Sequence, residues 1–110
     1  MSSERESFTD LADLFGALAA KLGEVTIDAR GELIDYRRGG TKFAVLDGSG
    51  VELRLHPEVA EAARRTPSTT ASPRGDAWIR FAPPELDGHS LDRAEAWFLS
   101  ACRAAAGHQG

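Results

Sequence analysis

The chain has 110 residues, of which 42% are apolar and 27% charged, the composition of one folded domain large enough to bury roughly two-thirds of the surface that its unfolded chain exposes. No apolar run approaches the ~20 residues of a membrane-crossing helix, and the opening MSSERESFTD is polar and acidic where a secretory signal is basic and then apolar, so a cytoplasmic protein is expected. The formal charge of -4 works against holding a polyanion by bulk charge, and a single cysteine, Cys102, excludes both an intramolecular disulfide and a thiolate metal cluster.

In chain order, residues 1–6 have nothing to bury and read as a disordered tail. Ser7 and Asp10 have the form of a capping box with the shorter acid, and Phe8, Leu11, Ala12, Phe15, Leu18, Ala19 and Leu22 recur at three- and four-residue spacing, which predicts an amphipathic helix ending near Gly23. Gly16 inside it costs about 1 kcal/mol against alanine, so close packing on a sheet is its expected purpose. Glu24–Asp28 and Glu32–Arg37 alternate as short antiparallel strands around a turn at Arg30-Gly31, and Arg37-Arg38-Gly39-Gly40 reads as a basic, flexible connection onward.

The next stretch, TKFAVLDGSGVELRL from Thr41 to Leu55, carries the firmest pattern: strand, turn at Asp47-Gly48-Ser49-Gly50, strand. Glycines 48 and 50 belong to a tight hairpin and not to a phosphate loop, since no Lys-Ser/Thr follows. Pro57 opens a short helix to Arg65. Thr66–Asp76 has the composition of a mobile surface loop, Ala77–Phe81 is a strand with Ile79 and Phe81 on one side and Trp78 and Arg80 on the other, and Ser90 caps a last helix closed by Gly107, with residues 108–110 as tail.

The predicted order is α-β-β-β-β-α-β-α in one domain over residues 7–107. Short β-β connections and amphipathic helices at both ends make this a two-layer α+β fold, with a mostly antiparallel sheet of about five strands and both helices on one face.

From about Gly31 to Ala106 the chain resembles the MmcQ/YjbR family of small bacterial proteins and the related small "luciferase domain" proteins. The likeness rests on the glycine-led strand with Lys42-Phe43-Ala44, the hairpin into Val51-Glu52-Leu53-Arg54-Leu55, the short helix after Pro57, the Ser/Pro/Gly loop, Trp78-Ile79 and the closing helix. The resemblance implies a double-wing α+β fold and DNA binding as the expected activity.

Among candidate sites, Arg37, Arg38 and Lys42 with Arg74, joined by Arg54 and Arg80, would form an anion or nucleic-acid surface, with Tyr36 and Trp78 as stacking faces. Arg30 to Arg80 holds nine bases against seven acids while the remainder holds four against ten. The interspersed Asp35, Asp47, Glu52 and Asp76 leave solvated strand faces as the alternative. Trp78 or Trp97 lines a pocket or partner interface, or belongs to the core. His56, His89 and His108 lack metal-motif spacing, Cys102 lies on an apolar helix stripe, and Ser49 and Ser72 lack a nucleophile elbow. No catalytic residue, metal or cofactor is expected. A non-catalytic binding or adaptor module, with a protein partner or a second copy of the chain as possible company, is the leading reading, followed by nucleic-acid binding and then small-molecule binding.

Overall fold

The computed structural model describes residues 10–48 and 50–108. The expectations placed on residues 1–6, Ser7, Phe8, Ser49 and residues 109–110 lie outside the described residues. The elements are α1 (Leu11–Leu22), β1 (Val25–Arg30), β2 (Leu33–Arg38), β3 (Thr41–Leu46), β4 (Val51–Arg54), α2 (Pro57–Ala63), β5 (Thr69–Ala71), β6 (Trp78–Phe81) and α3 (Gly88–His108). All strand pairs are antiparallel, in the order β1-β2-β3-β4-β6-β5. The fold is α+β with helices at both ends, as the pattern predicts, and it adds β5 within the stretch read as loop.

Helix α1 is bounded by side-chain and backbone caps. Asp10 accepts a hydrogen bond from the Asp13 backbone N–H at 2.9 Å, and Gly23 takes the left-handed conformation at φ 76° while donating to the Ala19 carbonyl. Leu11, Leu14, Phe15, Leu18 and Ala19 form its buried stripe. Gly16 does not serve close packing: an added Cβ would meet nothing within 4 Å. Helix α3 starts earlier than Ser90. Asp87 is the capping residue, its Oδ1 accepting from the Ser90 backbone N–H at 2.9 Å, and that bond holds the Asp87 carboxyl below the usual carboxylate range. The helix also runs through Gly107 to His108, since glycine weakens a helix interior without obliging it to stop.

The Gly39-Gly40 link between β2 and β3 is a tight turn and not a flexible connection. Both glycines have positive φ, 57° and 88°, the combination a two-residue hairpin turn requires and one that residues with a Cβ rarely adopt.

Register then sorts the side chains. Tyr36 is opposite Ala44, Ala44 opposite Leu53, and Leu53 opposite Ile79, so this row faces the helices. Between Tyr36 and Arg37 the register shifts, leaving Phe43 without a directly opposed residue. This bulge lets Phe43 and Ala44 both be buried, and the Phe43 ring meets Phe98 of α3 edge-on at 5.2 Å. Phe15 stacks on Phe98 at 4.5 Å, and Tyr36 meets both edge-on. Leu55, Ala60 and Ala63, before and within α2, join the same core.

Candidate binding surface

The opposite sheet face carries the neighbouring row: Asp35 on β2, Val45 on β3, Glu52 on β4, Arg80 on β6 and Thr70 on β5. Asp28 lies opposite Asp35, Arg37 opposite Lys42, and Arg54 opposite Trp78 on the same side. Although α1 and α3 sit on the other face, Asp35 is 2% exposed, Val45 3% and Glu52 8%. Long basic side chains bring their charges to the Asp35 and Glu52 carboxylates.

Asp35 is the centre of the first group. Arg30 Nη2 lies 2.6 Å from its Oδ2, Lys42 Nζ 3.3 Å and Arg37 Nη2 3.5 Å, and Arg37 also reaches Asp28 at 3.5 Å. Burial pushes the Asp35 carboxyl up, but the hydrogen bonds from Arg30 and Lys42 outweigh it and hold the group below the usual carboxylate range.

Glu52 is the centre of the second. Its Oε2 accepts from Ser72 Oγ at 3.0 Å and its Oε1 from Arg74 Nε at 2.6 Å, while Ser72 Oγ also accepts from the Arg74 backbone N–H. The Arg74 guanidinium stands 5.5 Å from the centre of the half-buried Trp78 ring, a cation–π arrangement. The stretch after β5 is therefore fastened to the sheet where its composition predicts mobility.

In the third group Asp47 grips Arg80 with both oxygens, at 2.9 and 3.1 Å, and its Oδ1 also accepts from the Gly50 backbone N–H. The hairpin turn is thus tied to the neighbouring strand. Gly50 is needed here because an added Cβ would lie 2.8 Å from the Phe81 carbonyl oxygen.

The expected surface is accordingly only partly assembled. Arg37, Lys42, Arg54, Arg74, Arg80 and Trp78 share one side, and Arg37, Lys42, Arg74 and Arg80 each pair with an acid of the same face. Arg38 is separated from them. By strand alternation it points to the helix side, where it pairs with Glu24 and approaches Cys102 Sγ at 3.6 Å. Tyr36 is 1% exposed in the aromatic core and offers no stacking face, because its position alternates toward the helices with Ile34. Cys102 is buried, His56 and His89 are exposed, and no group of three potential metal ligands exists among the described residues. A cavity of about 350 Å³ lies beside the start of α1, walled by Leu11, Ile34, Leu46 and Leu86 and rimmed by Asp10 and Glu32.

Sequence reading missed Asp35, Asp47 and Glu52 as organising groups and treated them as acids diluting a basic patch. Their outward strand positions were legible, but the bases opposite them depend on cross-strand register.

No family model matches the chain, and no curated protein matches it. Among solved structures, a crystal structure of a protein from Pseudomonas syringae, determined as a structural-genomics target, is similar with a TM-score of 0.63 and 14% identity, over 84% of this chain and 97% of that chain. At that identity the likeness is one of fold.

Proposed function

We propose that the chain is a non-catalytic binding module that docks a protein partner on the helix-free face of its sheet. The observation that carries this reading is the matching of bases to acids there: Arg37 and Lys42 with Asp35, Arg74 with Glu52, and Arg80 with Asp47. A polyanion gains affinity when bases neutralise its phosphates and release counterions. Bases already held by carboxylates supply less of that gain. A protein surface bearing both signs can instead meet an alternating pattern, and Trp78 under Arg74 is the aromatic and arginine combination on which such contacts concentrate.

The immobilised chain, exposed to a lysate of its source organism, should retain a partner that free chain competes away and that a folded Trp78→Ala variant does not retain. Retention unaffected by that substitution would put the contact elsewhere.

A second reading, nucleic-acid binding of the kind implied by the MmcQ/YjbR-like resemblance, is favoured by one observation. Arg37, Lys42, Arg54, Arg74 and Arg80 rise from one face over adjacent strands. It requires phosphate to displace the carboxylates, and salt-dependent DNA binding would establish it.

A further inference from the structure

The two ends of the sheet differ. β5 is three residues long, whereas β1 at the opposite end has six, and no described strand lies beyond it. Long edges are ordinarily blunted by charged side chains, lysine above all, or by proline, bulges or a covering element; the two charges of β1, Asp28 and Arg30, are drawn to Arg37 and Asp35 of β2. β1, VTIDAR, has no lysine, proline or glycine, pairs with β2 without a register shift, and leaves Ile27 46% exposed. Leu22, at the end of α1 just before the strand, is also exposed.

The hairpin geometry tells which backbone groups are free. Arg30 and Leu33 flank the two-residue turn Gly31-Glu32 and are paired across it, so the turn's closing hydrogen bond joins them. Alternation along an antiparallel pair then commits Arg30, Asp28 and Thr26 to bonds with β2 and turns the N–H and C=O of Ala29, Ile27 and Val25 outward.

We propose that β1 is a homodimer edge, at which two copies of this chain pair antiparallel about a two-fold axis through Ile27 and join their sheets into one. In that register Ile27 faces its own copy, Val25 faces Ala29, Thr26 faces Asp28, and Glu24 faces Arg30. The outward groups of Val25, Ile27 and Ala29 all find partners. Glu24 and Arg30, each with a 63% exposed side chain, bring opposite charges together at both ends of the ribbon. The neighbouring registers that keep the helices on one side do the reverse. Centring on Asp28 sets that carboxylate against itself, and centring on Thr26 sets Glu24 against Asp28, both unfavourable like-charge pairs. Among the registers centred on Thr26, Ile27 and Asp28, only the one on Ile27 is free of like-charge pairs, which suits the self-matching patch of a two-fold interface.

Sedimentation of the full chain over a range of concentrations tests this. The expected mass is that of two chains, falling toward one on dilution, and Ile27→Lys should sediment as one chain with its fold retained. As a second variant, Ile27→Cys should cross-link between copies on oxidation, because paired residues in such a ribbon have Cα atoms about 5.5 Å apart, within disulfide reach. Leu33→Cys, at a position 45% exposed on the next strand, should not. A single chain at every concentration, a dimer that survives Ile27→Lys, or equal cross-linking at both positions would overturn the proposal.

Discussion

Arg74 Nε lies 2.6 Å from Glu52 Oε1, and this contact fastens a Pro/Ser/Gly stretch to the sheet, beside the bond that Arg64 donates to the Asp76 carbonyl at 2.9 Å. Ser72 and Arg74 both use the Glu52 carboxylate, and Arg74 covers Trp78. Replacing Glu52 with alanine removes both bonds and leaves the Ser72 O–H, on a residue 8% exposed, without its acceptor, so urea unfolding should show a loss of about 2 kcal/mol. Hydrogen exchange at the Arg74 amide, which donates to Ser72 Oγ, should quicken more than exchange in α1.

Asp35 gives the protein an acid-sensitive support. Its carboxyl titrates lower when folded than unfolded, so its contribution is present above the unfolded carboxylate value of about 3.9 and is lost as pH falls through the lower folded value. Asp35→Asn should therefore cost about 2 kcal/mol near neutrality. The gap from wild type should close as the solution is acidified through that window. A gap that stays constant with pH would mean that Asp35 acts by shape and not by charge.

Tyr36 makes the complementary prediction at the alkaline end. Burial, with a smaller contribution from Asp10, pushes its hydroxyl up to about 12. A raised value means that the folded state keeps its proton while the unfolded state releases it above about 10, so stability is full below that pH and falls as pH rises toward the folded value. Tyr36 is the only tyrosine, so phenolate absorbance reports it alone. Ionisation should appear together with unfolding instead of as a separate earlier step.

Two glycines should respond oppositely to alanine. At Gly16 a Cβ has open space in an ordinary helical position, and Gly16→Ala should stabilise by about 1 kcal/mol. At Gly50 a Cβ would meet Phe81 O at 2.8 Å and the Ala82 Cβ at 2.9 Å, and Gly50→Ala should destabilise by about 1–3 kcal/mol. Thermal or urea unfolding of the two variants beside wild type checks both signs.

Periodicity is enough to read the helices, the first four strands with the central hairpin, and the strand Trp78–Phe81, because each is encoded by residues close in the chain. Three features escaped it for a common reason. The extra strand Thr69–Ala71 exists because Thr69 and Ala71 pair with Phe81 and Ile79, a template that local composition cannot reveal. Tyr36 could be assigned a strand but not a face until the pairing with Ala44 was known. The bases of Arg37, Lys42, Arg74 and Arg80 were visible as charges, whereas their use of Asp35, Glu52 and Asp47 arises only when strands distant in sequence come together. Gly16 was misread in the other direction, since its tolerance depends on the absence of a neighbour.

The charge matching on the helix-free sheet face is tested most directly by titrating labelled duplex DNA into the chain at low salt. No association is expected at tens of micromolar protein, a concentration within the ordinary range of non-specific binding constants. Tight binding that weakens steeply with added salt, and that is lost on replacing Arg37, Lys42, Arg74 and Arg80 with alanine, would contradict it.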